Sequence, residues 1–191
     1  MSGPSQLGLA SSHRERRGLI ERERTAVVVV DVQEGFRSYE TFDALAAACG
    51  RLVEGARILG VPVIATAQYP KGLGPIVPEV GLGDDEQPVE KTVFSAVRAD
   101  GFDLGGRDQA VVCGIEAHIC VSQTVHDLLS QGVEVHVARD AVGSRKPADL
   151  EVGLSKMERA GALASSVETA LFELCERAGT PEFKAVQQVI K

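Results

Sequence analysis

Short apolar runs alternate along the chain with segments of helical hydrophobic periodicity. The first run, Thr25–Val30, reads Thr-Ala-Val-Val-Val-Val and is followed directly by Asp31. An apolar run that does not alternate with polar residues is typical of a strand covered on both faces, as in a parallel sheet. We predict five further strands, at residues 61–66, 89–92, 109–114, 133–138 and 162–165.

Helical patterns fill most of the intervals between these runs. Residues 42–59 carry apolar side chains at helical spacing, and Gly60 ends the pattern. Further helices are predicted at residues 118–130, 148–160 and 167–177, and a last one begins at Thr180-Pro181. Strands that alternate with helices indicate an α/β fold with a parallel sheet and helices on both faces.

The carboxyl ends of the predicted strands carry the polar residues of most interest. Ligands of open parallel sheets bind beyond these ends, near the point where the strand order reverses. The positions that directly follow strands are Asp31, Gln68-Tyr69, Lys91 and the segment 114–120. Residues 68–87 are rich in proline and glycine, and a loop of that length is usually functional or disordered.

Length and composition fit one globular domain. The chain has 191 residues, of which 44% are hydrophobic and 25% charged. We expect the domain to cover residues 25–191, after an N-terminal arm at 1–24 that is either a flexible lead-in or packed on a partner subunit. A net charge of -7 without a long basic run argues against nucleic acid or an anionic membrane as the main partner.

The chain shows no signal for export or for membrane insertion. No apolar run approaches the roughly 20 residues that a spanning helix needs, and the charged N-terminal stretch lacks an apolar leader. The four cysteines are widely spread and form no CxxC pair. We therefore expect a cytoplasmic protein with free thiols, because a chain of this size needs no disulfide framework.

Cys120 is the strongest candidate for chemistry. It is predicted in the first turn of the helix after the fourth strand, where the helix dipole should lower the pKa of the thiol. Asp31 could accept the thiol proton, and Lys91 could supply a fixed positive charge. Each residue also has an alternative interpretation. Cys120 could be an inert buried thiol, Asp31 a carboxylate that caps a helix or turn, and Lys91 a solvated surface lysine.

Three segments resemble the sequence blocks of the isochorismatase-like (cysteine) hydrolase superfamily. They are Asp31-Val-Gln-Glu, Glu90-Lys91-Thr-Val-Phe-Ser-Ala and Gly114-Ile-Glu-Ala-His-Ile-Cys120-Val-Ser-Gln-Thr. The likeness runs from about Thr25 to the C-terminus and is closest to the isochorismatase-domain-containing hydrolases. Gln68-Tyr-Pro-Lys-Gly-Leu-Gly-Pro and the segment 135–145 add to it.

This resemblance implies an architecture and a set of catalytic residues. The fold it implies is a three-layer α/β/α sandwich around a Rossmann-like, six-stranded parallel sheet. The family pattern places a catalytic triad on Asp31, Lys91 and Cys120. It also implies a non-proline cis peptide between Ile115 and Glu116, beside the oxyanion site that backbone N–H groups up to Cys120 would form. The resemblance further implies a homo-oligomer, a dimer or a tetramer.

Departures from related families refine the expected reaction. Nicotinamidases of this superfamily carry an Asp-x-His…His metal site after the second strand, but here residues 66–71 read Thr-Ala-Gln-Tyr-Pro-Lys. We therefore expect no metal, and the lack of a GxGxxG motif after the first strand predicts no dinucleotide cofactor. Isochorismatases proper, which cleave a vinyl ether, generally lack the cysteine. Cys120 therefore favours cleavage of a C–N bond in a small amide-like substrate through a thioester.

Two alternatives stay open at this point. In the first, the protein hydrolyses a vinyl ether with Asp31 as the acid, and Cys120 is a bystander. In the second, the protein is a non-catalytic redox sensor or scaffold in which Cys120 reacts with peroxide. A sensor needs a thiol of low pKa but no proton acceptor.

Six further residues are expected to line the substrate pocket: Gln33, Phe36, Gln68, Tyr69, Phe94 and His118. The two phenylalanines could instead belong to the core, and Gln68-Tyr69 could be an ordinary surface turn. His118 is two residues from Cys120, a spacing that does not share a helix face, so it is expected to line the pocket or brace the loop. The other three cysteines are predicted in the core. The last helix has an apolar stripe, Phe183, Val186, Val189 and Ile190, for a partner subunit or for its own domain.

Overall fold

The strands of the protein form one parallel sheet. The computed structural model describes residues 18–191. The strands are β1 Thr25–Val30, β2 Val63–Gln68, β3 Val89–Lys91, β4 Gln109–Ile115, β5 Glu134–Gly143 and β6 Leu163–Ser165. Their order across the sheet is β3-β2-β1-β4-β5-β6, and all neighbouring pairs are parallel.

Helices pack on both faces of this sheet. They are α1 Phe42–Ile58, α2 Pro70–Leu73, α3 Ser122–Ser130, α4 Pro147–Arg159, α5 Val167–Cys175 and α6 Pro181–Ile190. Helices α1 and α5 contribute to the hydrophobic cluster on one face, and α3 and α4 contribute to the cluster on the other. The predicted α/β/α sandwich around a six-stranded parallel sheet is confirmed.

The central strands β1 and β4 explain the apolar runs of the sequence. Every residue of both strands is buried. Val27 and Val29 of β1 pack in the same cluster as Leu52 of α1, whereas Val28 and Val30 pack in the cluster on the opposite face. A strand whose alternate residues enter two different cores needs apolar side chains at every position.

Several element boundaries differ from the prediction for backbone reasons. β2 begins at Val63 rather than at residue 61, because Pro62 has no N–H to donate, although its carbonyl accepts a 2.9 Å hydrogen bond from Val27. β5 extends to Gly143 instead of residue 138, because its pairing with β4 resumes after a register shift at Val112/Gly114. The predicted helix at 118–130 is a π-helical turn, Ala117–Val121, followed by α3.

The segment 68–87 is more ordered than a long proline- and glycine-rich loop suggests. It contains α2 and a 3-10 turn at Pro78–Val80, and Ile76 forms an antiparallel bridge with Gln33. Val77 and Val80 are buried against the core, and the Arg57 guanidinium donates a 2.9 Å hydrogen bond to the Gly81 carbonyl. Of the two expectations for this segment, a functional or a disordered loop, disorder is excluded, because short turns and buried valines hold the segment against the domain.

Both ends of the described chain pack on the domain itself. Residues 1–17 of the expected arm lie outside the described residues, but Ile20 is fully buried and its N–H donates to the Glu173 carboxylate at 2.9 Å. At the other end, Thr180 Oγ1 accepts a 3.0 Å hydrogen bond from Phe183 N–H and caps α6. Val186 of α6 is fully buried. The apolar stripe of α6 is thus at least partly used within its own domain.

No helix within residues 18–191 combines the length and the hydrophobicity that a membrane span requires.

Candidate active site

Asp31 lies at the point where the strand order reverses. It follows β1, with β2 on one side and β4 on the other, and it is fully buried. Its φ of 55° is in the left-handed region, which is costly for a residue with a Cβ and is concentrated at functional sites. A 3.1 Å hydrogen bond from Asp31 N–H to the Thr66 carbonyl supports this conformation.

Lys91, the last residue of β3, forms a buried ion pair with Asp31. Lys91 Nζ lies 2.7 Å from Asp31 Oδ2, and neither side chain is exposed. The same ammonium lies 2.7 Å from Gln68 Oε1 and 3.0 Å from the Phe94 carbonyl. A buried ion pair is tolerated when hydrogen bonds offset its desolvation, and these acceptors provide them. Lys91 is therefore not a solvated surface lysine.

Thr66, in the middle of β2, completes the surroundings of the Asp31 carboxylate. Its hydroxyl donates a 2.7 Å hydrogen bond to Asp31 Oδ1, and the residue is fully buried. The two carboxylate oxygens of Asp31 therefore have different partners, a neutral hydroxyl at Oδ1 and an ammonium at Oδ2. Two fixed donors leave the carboxylate little freedom to rotate.

Cys120 lies in the π-helical turn after β4 and is buried, with 7% of its surface exposed. Burial, followed by the charge of Asp31 and a hydrogen bond to Asp31, raises the pKa of its thiol to about 12, although the charge of Lys91 acts in the opposite direction. The predicted lowering of this pKa is wrong. Desolvation and the neighbouring carboxylate outweigh the lysine and the helix dipole.

The arrangement brings three strand-end residues together. Asp31 is hydrogen-bonded to Lys91, and the Cys120 thiol has Asp31 as a hydrogen-bond partner. Near neutral pH the cysteine is a protonated thiol beside a carboxylate acceptor. This geometry permits transfer of the thiol proton to Asp31 when a nucleophilic sulfur is needed.

Thr124 of α3 joins the cysteine turn to the segment that follows Lys91. Its hydroxyl donates a 2.7 Å hydrogen bond to the Cys120 carbonyl and accepts a 2.9 Å bond from Ala96 N–H. Thr124 is fully buried. One hydroxyl thus fixes the distance between two loops that carry different parts of the site.

Gly114 allows β4 to approach the end of β1 closely. Its φ is 122°, and a Cβ at this position would lie 2.7 Å from Val30 N and 2.8 Å from Val30 C. Both are backbone atoms of the residue before Asp31, so they cannot move aside as a flexible side chain could. A side chain at residue 114 would force the two strand ends apart.

The segment before Cys120 has a distinct backbone and polar contacts. The Ile115–Glu116 peptide bond is cis. The Glu116 carboxylate accepts a 3.1 Å hydrogen bond from Tyr39 Oη. His118 is half-buried, with Nδ1 3.0 Å from Ser144 Oγ, so its contact braces the turn.

Two of the expected pocket residues support the site from inside. Gln33 is fully buried, and its amide bonds backbone atoms: it accepts from Gln68 N–H at 2.7 Å and donates to the Gly74 carbonyl at 2.7 Å. This burial removes Gln33 from the expected pocket surface. Gln68 bonds Lys91 through Oε1 and the Thr92 carbonyl through Nε2, at 3.0 Å for the latter. Its amide therefore holds Lys91 in place.

The aromatic residues near the site differ in exposure. Tyr69 is 54% and Phe94 is 51% exposed, whereas Phe36 is half-buried and packs edge-on against Tyr39 and against the core. The backbone of Tyr69 has a φ of 37°. The residue lines a cavity of about 320 Å³, whose other walls are Pro70, Lys71 and residues 90–92. Tyr69 and Phe94 are therefore placed to meet an incoming molecule, and Phe36 belongs to the core.

The remaining cysteines are free thiols, as predicted, but they do not share one environment. Cys49 and Cys113 are fully buried, and Cys175 is only partly buried. A hydrogen bond to Cys49, together with burial, raises the pKa of the Cys113 thiol well above its ordinary value. Cys175, at the end of α5, lies at the edge of the core: it is partly exposed but packs against the same hydrophobic cluster as α1 and α5.

The donors of a metal site are missing where related enzymes have one. β2 ends with Thr66, Ala67 and Gln68, which offer no carboxylate or imidazole, and Gln68 is bound to Lys91. Within residues 18–191 no three His, Cys, Asp or Glu side chains are grouped in a way that could hold a metal ion. The residues present therefore do not fit the metal site of the nicotinamidases.

Thr66 and Thr124 are contributors that the sequence analysis did not single out. Thr66 lies in β2 at the register position of Val30, next to Asp31, so strand pairing would have located it. Thr124 is four residues after Cys120, a spacing at which a hydroxyl reaches a helical carbonyl. The first signal depends on knowing which strands are neighbours, whereas the second is local to one helical segment.

Comparisons with known proteins identify the family of this chain. Residues 25–169 match the family model of the isochorismatase domain. The chain is 40% identical over 178 residues to isochorismatase domain-containing protein 2A of Mus musculus, covering 91% of this chain and 86% of that protein. The solved structure of the MAR1 ribonuclease from Caenorhabditis elegans is similar, with a TM-score of 0.83 at 38% identity over 90% of this chain and 92% of that one.

A more distant solved structure shares the fold. A cysteine hydrolase from Pseudomonas syringae pv. phaseolicola has a TM-score of 0.74 at 19% identity, covering 84% of this chain and 96% of that chain. The family match spans Asp31, Lys91 and Cys120 and most of the sheet. The chain belongs to the isochorismatase domain family of hydrolases.

Proposed function

We propose that this protein is a cysteine hydrolase that cleaves the C–N bond of a small amide-like molecule through a thioester intermediate. The observation that carries the proposal is the Asp31 carboxylate, which pairs with the Lys91 ammonium and is a hydrogen-bond partner of the Cys120 thiol. A nucleophile, a proton acceptor and a compensating cation are thereby combined in one buried cluster.

In the first half of the reaction the thiol must lose its proton as it attacks. The pKa of Cys120 is raised to about 12, so almost no thiolate exists at neutral pH. Asp31 accepts the proton while Sγ bonds to the carbonyl carbon and the carbonyl π electrons move to oxygen. We assign the oxyanion to backbone N–H groups of the turn that carries Cys120. The C–N bond then breaks, and Asp31 returns the proton to the departing nitrogen.

The second half of the reaction releases the acid and restores the thiol. Asp31 takes a proton from a water molecule as the water oxygen attacks the thioester carbon. The C–S bond breaks, and the proton passes from Asp31 to sulfur. Lys91 keeps its proton throughout and compensates the charge of Asp31 whenever the carboxylate is ionised.

The environment of Cys120 weighs against the alternatives. A redox sensor depends on a thiolate, but burial and Asp31 raise the pKa of this thiol. Vinyl-ether hydrolysis with Asp31 as the acid would not use Cys120, and it would leave the contact of the thiol with the Asp31 carboxylate unexplained. Cleavage of RNA, which the name of the Caenorhabditis elegans relative describes, normally uses free cations to bind phosphates, whereas Lys91 is buried and paired and the net charge is -7.

The proposed reaction uses protein side chains alone. The end of β2 supplies no carboxylate or imidazole to a metal, and Gln68 is bound to Lys91.

The reactant would be a small molecule, and we also propose that the protein acts as a homo-oligomer, a dimer or a tetramer. Tyr69, Val93 and Phe94 support the latter, since all three are exposed near the site.

The test is an ammonia-release screen over small amides, ureas and carbamoyl compounds, with the wild type beside Cys120→Ala. We expect the variant to fold and to lose turnover by roughly 10³-fold or more, as for removal of other nucleophiles. An acyl adduct on the wild type, seen by intact mass after rapid acid quench and absent from Cys120→Ala, would identify the thioester.

Three results would contradict the proposal. If Cys120→Ala hydrolysed the identified substrate as fast as the wild type, Cys120 could not be the nucleophile. Loss of activity in Asp31→Asn with full activity in Cys120→Ala would favour the vinyl-ether reaction. Cleavage of RNA that survives in Cys120→Ala, with no small amide hydrolysed, would assign a different reaction to this chain.

A further inference from the structure

Helix α4 comes unusually close to the turn that carries Cys120. Gly153 lies in the middle of α4, and a Cβ built there would be 2.7 Å from both Ala117 C and Ala117 O and 2.8 Å from His118 N. Real Cβ atoms essentially never approach other atoms this closely. The atoms it meets belong to the backbone of the π-helical turn, three residues before the cysteine, so no side-chain rotation could make room.

Neither partner in this contact is free to retreat. Leu154 and Met157 anchor α4 in the hydrophobic cluster that also contains Cys120 and Val121. Ala117 itself is fully buried. An added methyl group at Gly153 must therefore displace the Ala117–His118 peptide or pull α4 out of the core.

A second contact joins the same two segments. Ser144, in the turn just before α4, is buried, and its Oγ lies 3.0 Å from His118 Nδ1. The backbone before His118 is thus fixed by Gly153, and the side chain of His118 is fixed by Ser144. Cys120 follows two residues later in the same turn.

We infer that α4 and the turn before it set the position of Cys120 relative to Asp31, with Gly153 and Ser144 as positioning residues. Glycine is the least favourable residue inside a helix apart from proline, and the close approach accounts for its presence in α4. The inference rests on the proposed function only in taking Cys120 as the nucleophile. The inference itself concerns only the alignment of the Cys120 thiol with the Asp31 carboxylate.

The experiment measures the pH dependence of Cys120 alkylation by iodoacetamide, followed by peptide mapping. The variants are Gly153→Ala and a matched control, Gly50→Ala. Gly50 also lies in a helix, and its Cβ would also meet a backbone oxygen, that of Glu79. Its helix, α1, packs in the cluster on the face of the sheet opposite to α4. Thermal unfolding of both variants monitors any general loss of stability.

We expect Gly153→Ala to shift the alkylation profile of Cys120 to lower pH by at least about 0.5 pH unit. A hydrogen bond to Asp31 that is out of alignment no longer favours the protonated thiol. Gly50→Ala should keep the wild-type profile, whatever its melting temperature. A wild-type profile in folded Gly153→Ala, or an equal shift in Gly50→Ala, would overturn the inference.

Ser144 keeps the inference testable if Gly153→Ala does not fold. Ser144→Ala should shift the profile in the same direction by a smaller amount, and Ser144→Thr, which retains a hydroxyl, should restore it. An unchanged profile in Ser144→Ala would then overturn the inference. Alkylation needs no substrate, so a failure of the proposed hydrolysis, seen as full turnover by Cys120→Ala, is distinguishable from a failure of this positioning role.

Discussion

The Asp31 carboxylate is shared by three side chains with different properties. Thr66 donates to one oxygen, Lys91 donates to the other, and the Cys120 thiol is the third partner. The lysine stabilises the negative charge, whereas that charge makes it harder for the thiol to ionise. In the proposed reaction the same residue therefore opposes a resting thiolate and accepts the thiol proton during attack.

This double role predicts opposite effects of Asp31→Asn in two assays. Asp31 raises the pKa of Cys120, so its neutralisation should lower that pKa, increase the thiolate fraction and accelerate iodoacetamide alkylation at pH 9 by about tenfold or more. Turnover in the same variant should be lost, because the proton acceptor is gone. The two rates can be measured on one preparation, with Asp43→Asn on the exposed start of α1 as the control.

The contrary outcome is easily recognised. If alkylation of Asp31→Asn slowed in parallel with turnover, Asp31 would be promoting ionisation of the resting Cys120 thiol rather than opposing it. That result would contradict the raised pKa of Cys120 and the order of proton transfer proposed above.

For single residues, the sequence predicts which positions belong to the candidate site better than it predicts their burial and their hydrogen-bond partners. Asp31 and Lys91 could be chosen because each follows or ends a strand on the same sheet edge. The direction of the Cys120 pKa shift could not be predicted, since it depends on burial and on the distance to Asp31, and both arise from tertiary packing. For the same reason Gln33 was expected in the pocket, although its amide bonds backbone atoms inside the loop.

At the scale of elements, the site depends on connections between the ends of strands. β1, β3 and β4 each contribute one catalytic candidate or the turn that carries it. Apolar runs predict these strands because residues buried on both faces leave a continuous pattern. The π-helical turn and α2 leave no comparable pattern, since each is a single short turn whose shape is set by its contacts.

The bridge made by Thr124 can be tested through stability. Thr124→Val keeps the shape but removes the hydroxyl that bonds both the Cys120 carbonyl and Ala96 N–H. Two buried backbone groups would lose a partner, so we expect the free energy of unfolding to fall by about 1–3 kcal/mol. Urea unfolding of the purified variants measures the change.

Thr124→Ser provides the matched comparison for that experiment. It retains the hydroxyl and loses one methyl group, so it should recover most of the stability. A Thr124→Val protein as stable as the wild type, or a Thr124→Ser protein equally destabilised, would show that the methyl group rather than the hydrogen bonds matters at this position.

At the scale of the whole molecule, exposed apolar side chains are concentrated beside the site. Tyr69, Val93 and Phe94 are 54%, 41% and 51% exposed, and the backbone of the last two lies against Lys91. An apolar surface of this kind on a chain with a net charge of -7 is typical of a contact with another protein surface. We take a second copy of the chain as that partner.

Light scattering coupled to size-exclusion chromatography tests this assembly. The expected mass is two or four times the 20.2 kDa of the single chain. Phe94→Ser should shift the protein toward the single-chain mass, whereas Val152→Ser, a substitution of an exposed apolar residue on α4, should not. A 20.2 kDa species for the wild type at all concentrations would refute the homo-oligomer.

The close approach of Gly114 to Val30 has a consequence for altering what the enzyme accepts. The distance between these two strand ends is determined by main-chain atoms, so substitutions there would disturb the reacting groups before they changed any preference. The side chains at Tyr69 and Phe94 face outward and carry none of those constraints. A library directed at these two positions should therefore change substrate range, and at Phe94 also the assembly, while leaving the geometry of Asp31, Lys91 and Cys120 intact. A library directed at the strand ends should yield mostly inactive protein.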